Sequence, residues 1–464
     1  MAAPTTTRPP SAYGLRLGLL ALAQFIVALD FNIVYVALPD IGRHVGFSIQ
    51  SLQWVVSAYV VVLGGFLLFG GRAADRLGTR RMFVIGAALY AIASLVGGLA
   101  TDPGVLIAGR AVQGVGGALL TPATLRLIFT NFTEGPERNR AFATWGAAGS
   151  AGLSAGALLG GVLTNYLGWE WVFFVNVPLG LFAAFAAPSV FAPDQPRPGD
   201  QGGFDLPGAI IATLGASAVV FGLVNGPEAG WLSVQGVWAL AAGLALLAAF
   251  LVVESRTGTP LMPLRLFRVR GLGVSMGVAF TFQGATAAVY YLLTTYFQDV
   301  LGYSPLAAGL AFLPPTLVSM VVALSLTARL LTRWGIRRTL AVGLLITAIG
   351  TLGAVAAFSA TGSYWALLPG LVLWGFGGGL AFSPMFAAAG VGVAPLEQGV
   401  ASAMANTSRQ IGGSVGLALL VALVNAGIPG GVAGLRVGGW FAVATTLVSA
   451  AIALVLRKPE RATA

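Results

Sequence analysis

Cysteine is absent from this chain of 464 residues, and histidine occurs once, at His44. Disulfides, thiolate metal sites and cysteine nucleophiles are thereby excluded. A metal centre needs several converging ligands, so His44, in a polar segment after the first long apolar run, reads as a solvated loop residue. Neither a metal nor a cofactor is expected. Charge is scarce too: Asp, Glu, Lys and Arg make up 9% of the residues, against about 25% in a soluble domain. A membrane enzyme would gather catalytic groups at one depth. With no cysteine, one histidine and no phosphate-binding loop, the chain is not expected to be an enzyme.

What is present is apolar. Hydrophobic residues reach 57%, mean hydropathy is +0.87, and there are 65 glycines, as close helix packing in lipid requires. The expectation is an all-α polytopic membrane protein. Runs long enough to cross ~30 Å of hydrocarbon fall at 14–38, 51–71, 82–101, 104–127, 141–164, 172–192, 207–225, 234–253, 272–295, 307–328, 339–359, 366–389, 399–425 and 437–456, fourteen in all. The net charge of +10 does not point to nucleic acid, because the arginines gather at the ends of these runs. With the N-terminus inside, Arg72, Arg76, Arg80 and Arg81, then Arg265, Arg268 and Arg270, then Arg329, Arg333, Arg337 and Arg338 all fall on the inner side. The outer loops hold only Arg43 and Arg436. The positive-inside rule therefore predicts cytoplasmic termini in the cell inner (plasma) membrane. The opening "MAAPTTTRPPSAY" reads as a short cytoplasmic tail, not as a cleaved signal.

One acid stands out. In "FIVALDFNIVYVALP" (Phe25 to Pro39), Asp30 sits inside an otherwise apolar run, where a charge costs at least ~2.5–3.5 kcal/mol. It lies ~12 Å from the outer end of its span, and Arg110 lies ~9 Å below the start of the fourth, by the rise of a helix. The two charges are thus at comparable depth. Arg110, Gln113, Gly114 and Gly117 share one helix face, polar and of little bulk, which suits a water-filled cavity. With spans one and four as neighbours, Asp30 would be either a coupling acid that alternately binds a proton and a substrate or Arg110, or a static partner of Arg110. A lone mid-membrane acid suits neutral, zwitterionic or monocationic substrates better than dications.

The chain also repeats itself. "GGRAADRLGTRRM" after the second span and "TARLLTRWGIRRT" after the tenth align at a shift of 257, bringing Arg72, Arg76, Gly78, Arg80 and Arg81 onto Arg329, Arg333, Gly335, Arg337 and Arg338. At 260, Gly152 and Gly156 meet Gly412 and Gly416; at 261, Gly114, Gly116 and Gly117 meet Gly375, Gly377 and Gly378. Asp75 has Thr332 as its counterpart. The predicted organisation is a tail (1–13), a six-helix bundle (14–192), inserted helices seven and eight with their loops (193–271), a pseudo-symmetric six-helix bundle (272–456) and a second tail (457–464). Parallel six-helix repeats about a central site form a transporter plan.

Four segments resemble the major facilitator superfamily, in its fourteen-span drug/proton antiporter branch: "GRAADRLGTRR" (Gly71 to Arg81), "RAVQGVGGA" (Arg110 to Ala118), "LDFNIVYVALP" (Leu29 to Pro39) and "GSAGLSAGALLGG" (Gly149 to Gly161). The last departs from the family pattern at Ala157, where proline is usual. The resemblance implies that spans one and four are neighbours at the cavity. It also implies export of amphipathic small molecules by alternating access, driven by the proton-motive force with no cofactor. A proton-coupled importer or facilitator of a metabolite is the alternative that Ala157 favours. The expected partners are the bilayer, protons and the substrate, for a monomeric protein. Gly71, Asp75, Arg76, Gly78, Arg80, Arg81 and Arg126 are expected to form a cytoplasmic gate, in which Asp75 joins Arg126 and the start of span thirteen; the alternative, that the arginines only set topology, leaves the acid unexplained. Gly152, Gly156 and Gly160, with Gly161, form a small-residue stripe that either packs helices or seals the interface between halves. Candidate cavity residues are Gln113, Gln283, Tyr290, Tyr291, Trp374, Phe376, Asn406 and Arg409; the aromatics are packing or substrate contacts, and Arg409 lines the cavity or snorkels.

Overall fold

Lipid tails offer backbone N–H and C=O groups no partner, so a chain this apolar satisfies them within each segment by forming helices. The computed structural model describes residues 10–47, 52, 54–194, 206–229, 233–257, 260, 262–303, 305–425 and 431–456, and no strand occurs among them. In order the helices are α1 (Pro10–Val45), α2 (Trp54–Arg76), α3 (Thr79–Gly98), α4 (Pro103–Asn131), α5 (Pro136–Tyr166), α6 (Trp171–Val190), α7 (Leu206–Ala229) and α8 (Val234–Arg256). There follow α9 (Arg270–Thr295), α10 (Leu313–Val322, preceded by the short Pro305–Ala311), α11 (Ala328–Ala356), α12 (Tyr364–Ala389), α13 (Gln398–Asn425) and α14 (Val432–Leu454). Among the described residues, eleven helical runs are long and apolar enough to cross a membrane. One of them, Ala307–Ala356, spans 50 residues and is divided at Gly335, whose φ of 75° favours glycine. Of the predicted tails (1–13 and 457–464), residues 10–13 already belong to α1, while 1–9 and 457–464, like residues 195–205, lie outside the described residues.

The turns are tighter than the apolar runs imply. α2 continues to Arg76, so Gly71, Asp75 and Arg76 are helical and not part of a loop. The chain reverses within Leu77 and Gly78, the latter at φ 108°. His44 is likewise not a loop residue: α1 runs on to Val45, and the His44 Nδ1 lies 2.9 Å from the Asp40 carbonyl one turn back. Both extensions have one cause. Polar residues continue a helix when their side chains find partners, and Asp75 and His44 both do.

Helix pairings recur along the chain. α1 packs on α5, α2 and α3 on α4, and α3 on α6; α9 packs on α13, α10 and α11 on α12, and α11 on α14. The glycines make the same point at atomic scale. A Cβ on Gly114 would lie 2.8 Å from the Tyr59 carbonyl of α2, and one on Gly375, 261 positions on, 2.1 Å from the Pro315 carbonyl of α10. Gly116 faces Tyr90 of α3 as Gly377 faces Thr347 of α11. α7 and α8 pack together, and α7 lies against α2. The first six helices meet the last six where α2 and α4 touch α13, and where α5 touches α10, α11 and α12.

The stripe on α5 faces α1, within the first six helices. Added Cβ atoms would lie 2.5 Å from the Phe25 carbonyl at Gly152, 2.5 Å from that of Leu29 at Gly156, and 2.8 Å from that of Ile33 at Gly160. Gly161 is one position off this face and part-buried. The α1 backbone is therefore braced on both sides of Asp30. Gly156→Leu is expected to destabilise the detergent-solubilised protein by about 1–3 kcal/mol through overpacking, measured by thermal unfolding. Gly309→Ala, where nothing lies within 4 Å of an added Cβ, should leave the midpoint unchanged or slightly raised.

Candidate functional site

Asp30, Arg110 and Gln113 come together in a closed polar cluster, all buried. The Arg110 Nη1 donates to Asp30 Oδ2 at 2.6 Å and to Gln113 Oε1 at 2.6 Å, and its Nε donates to the Val55 carbonyl at 2.7 Å. The Gln113 amide nitrogen donates to Asp30 Oδ1 at 2.8 Å and to Ser94 Oγ at 3.0 Å. Asn176 Nδ2 approaches the same carboxylate oxygen at 3.5 Å. The guanidinium also lies over the Tyr59 ring, 4.4 Å from its centroid, with Phe173 at 5.9 Å. Five helices, α1, α2, α3, α4 and α6, contribute to this one cluster.

This arrangement answers the cost of the charge. Ions taken out of water lose several kcal/mol of solvation each, so they persist only with good geometry and satisfied lone pairs. Here both carboxylate oxygens accept hydrogen bonds, and an acid, a carbonyl, an amide and a ring surround the guanidinium. The polar face of α4 is accordingly packed against these partners and not open to a water-filled space: Gln113, expected at a cavity, bridges the two charges. Ser94, Asn176 and Tyr59 were not singled out from the sequence. The lone asparagine in "FFVNVPLG" is the only one of the three with a legible signal, a polar residue in an apolar run.

A second buried ion pair lies at the basic end. Arg126 Nη1 is 2.9 Å from Asp75 Oδ1 and also donates to the Ala74 carbonyl. The Asp75 carboxylate accepts from the Gly399 N–H at 3.1 Å and the Val400 N–H at 2.8 Å, at the start of α13. It thus caps a helix belonging to the last six, where the dipole favours an anion. The glycines permit this approach, since a Cβ on Gly71 would lie 2.6 Å from Ala403. Gly78 adjoins a third anion site that the sequence reading missed: Asp194 accepts from the Arg80 and Arg81 N–H groups at 3.0 and 2.9 Å, at the first turn of α3. The Arg80 guanidinium reaches the carbonyls of Pro188 and Phe191 at the end of α6. On the repeat-related side, Thr332 Oγ1 accepts from Asn139 Nδ2 at 3.2 Å, a neutral contact where the other side has charge.

The remaining candidates divide. Arg409 of α13 donates through Nη1 to Gln283 Oε1 of α9 at 3.1 Å. Tyr290 packs edge-on against Trp374 at 5.3 Å and at a tilt against Phe312 at 4.9 Å. Tyr291 shares none of those ring contacts and is 40% exposed. Phe376 is part-buried, and Asn406 is buried, donating to the Ser402 carbonyl of its own helix. Between α5 and α12, Trp145 stacks on Phe382 at 5.7 Å and meets Phe386 edge-on at 5.2 Å, an aromatic seal that no motif announced.

Comparison with known proteins sharpens these observations. A model of the Major Facilitator Superfamily matches residues 20–417. The chain is 41% identical over 414 residues to the cephamycin export protein CmcT of Amycolatopsis lactamdurans, covering 89% of this chain and 85% of that one. It is 39% identical to the puromycin resistance protein pur8 of Streptomyces alboniger, covering 94% and 89% respectively. Among solved structures, the human organic anion transporter MFSD10 superposes with a TM-score of 0.69 at 16% identity, over 96% of this chain and all of that one. At that identity the likeness is one of fold.

The Asp75–Arg126 pair should act as an energetic unit. In a double-mutant cycle on thermal unfolding, Asp75→Asn with Arg126→Gln is expected to destabilise by less than the sum of the single variants, by about 1 kcal/mol or more. The exposed Asp40–Arg43 pair should be close to additive. Additivity at 75 and 126 would remove the pair from any role in holding the helices together.

Proposed function

The chain belongs to the Major Facilitator Superfamily, and on that premise we propose that it is a proton-coupled exporter of amphipathic small molecules working by alternating access. Its relatives named for export and resistance support a transporter over an enzyme. The observation that carries the coupling is the sequestered Asp30–Arg110–Gln113 cluster. An ionised Asp30 holds Arg110 by a charge-assisted bond. A proton arriving at that carboxylate removes the ion pair, leaves Arg110 without its counter-ion and loosens α1 against α4. Protonation state and helix arrangement are then linked, as exchange requires.

The frame for this exchange has fourteen spans: bundles at 14–192 and 272–456, with helices seven and eight inserted between them at 193–271. The recurring helix pairings support this division. The arginine-rich end, with both termini, faces the cytoplasm of a plasma membrane by the positive-inside rule. At that end Asp75 latches α13 to α2 and α4, and opening toward the cytoplasm breaks its bonds to Gly399 and Val400. The protein works as a monomer in the bilayer, without cofactor, drawing on the proton gradient.

The test is reconstitution of the full chain into proteoliposomes under an imposed pH gradient, with a panel of antibiotics and hydrophobic dyes of differing charge. Gradient-driven movement is expected for the wild type. For Asp30→Asn it should fall about tenfold or more, while Asp40→Asn at the exposed end of α1 should transport normally. Unchanged coupling in Asp30→Asn would sink the proposed role, and movement independent of the gradient would remove the antiport reading.

A further inference from the structure

Five arginines among the described residues form ion pairs: Arg43 with Asp40, Arg110 with Asp30, Arg126 with Asp75, Arg138 with Glu134 and Arg265 with Glu397. Arg409 does not. It lies in the middle of α13, part-buried, and its hydrogen-bond partner is the neutral Gln283. Its Nε is buried with no acceptor, and so is the side-chain nitrogen of the adjacent Gln410. α13 packs against α2 and α4 of the first six helices. Arg409 is close enough to Tyr59 of α2 for the two to interact electrostatically.

A guanidinium withdrawn from water without a counter-ion is costly. The acids of α1 are no remedy, because Arg110 already neutralises Asp30 at 2.6 Å and Asp40 pairs with Arg43 at the exposed end. Arg409 is therefore left without an acid at ion-pair distance among the described residues, and its Nε donor has no acceptor. Arg409 presents a planar fork that matches a carboxylate in two parallel bonds. Tyr290 lies two turns along α9 from Gln283 on the same face, about 10 Å away, and it is backed by Trp374 and Phe312. A charged anchor and an aromatic surface about 10 Å apart suit a molecule with an acidic head and an apolar body.

We infer that Arg409 anchors the carboxylate of the transported molecule, so that the substrate class is amphipathic organic anions. This rests on the exporter reading for its transport meaning, but the binding site stands on its own geometry. Counting acids alone favoured neutral, zwitterionic or monocationic substrates; the unpaired cation at the helix contact reverses that preference. Organic cations would meet Arg409 with like charge and are selected against.

The test uses the purified full chain in detergent, with no pH gradient, and two fluorescent probes of nearly equal shape: dansylglycine, a carboxylate, and dansylglycinamide, its neutral amide. Equilibrium titration of the wild type should show the carboxylate bound about tenfold more tightly. In Arg409→Gln the two affinities should converge to within about twofold, with amide binding unchanged. Arg409→Lys, which keeps the charge and loses the fork, should retain part of the preference. Equal affinities in the wild type, no binding of either probe to the wild type, or a preference surviving in Arg409→Gln would each overturn the assignment. If Arg409→Gln loses both probes, Arg409→Lys decides: amide binding without carboxylate preference overturns it, and a retained preference supports it. Loss of proton coupling in Asp30→Asn leaves this equilibrium preference intact, so the two proposals fail separately.

Discussion

The bond between Arg110 and Asp30 draws on almost every helix of the first six. Arg110 reaches α1 through the carboxylate and α2 through the Val55 carbonyl, and Gln113 carries the network on to Ser94 of α3. Asn176 closes it from α6. In a low-dielectric interior neither ion is tolerable alone, so the positions of five helices are set by the need to bring their polar groups within hydrogen-bonding distance. The same requirement makes the cluster sensitive to one proton, since a single neutralisation leaves the opposite charge exposed to the full cost of burial.

Bringing helices that close depends on glycine. α1 approaches α5 backbone to side-chain-free backbone at Gly152, Gly156 and Gly160, and α2 approaches α4 at Gly114. Without a hydrophobic drive between helices in lipid, such close contact supplies much of the association. At the basic end the same device brings Gly71 against α13, where Asp75 meets the helix start of the opposite set. Packing and electrostatics are thus not separable here: the glycines bring the backbones near, and the ion pairs select which approach is stable.

The two sets of helices are related but not equivalent. Asp75 caps α13 with charge, whereas Thr332 meets Asn139 through a neutral hydrogen bond. Both buried acid–arginine pairs lie in the first set, and the unpaired Arg409 lies in the second. On the proposed reading, proton chemistry and anion binding would fall on opposite sides of the contact between the two sets of helices.

Much of this was legible in residue order alone. Low charge, apolar runs and arginine placement specify a helical membrane protein, and the shifts of 257 to 261 residues expose the duplication. The prominence of Asp30 and its depth match with Arg110 follow from helical rise and the cost of charge, which are local properties. Helix ends were less legible: α2 runs on to Arg76 because Asp75 finds partners on α4 and α13, contacts that no window of sequence contains. For the same reason Asp194, Asn176 and the Trp145 seal went unnoticed. Sequence by itself determined which residues are expensive to bury and how often the pattern repeats. Only the tertiary structure decided which charge is neutralised and which is not, because pairing depends on distances between helices far apart in the chain.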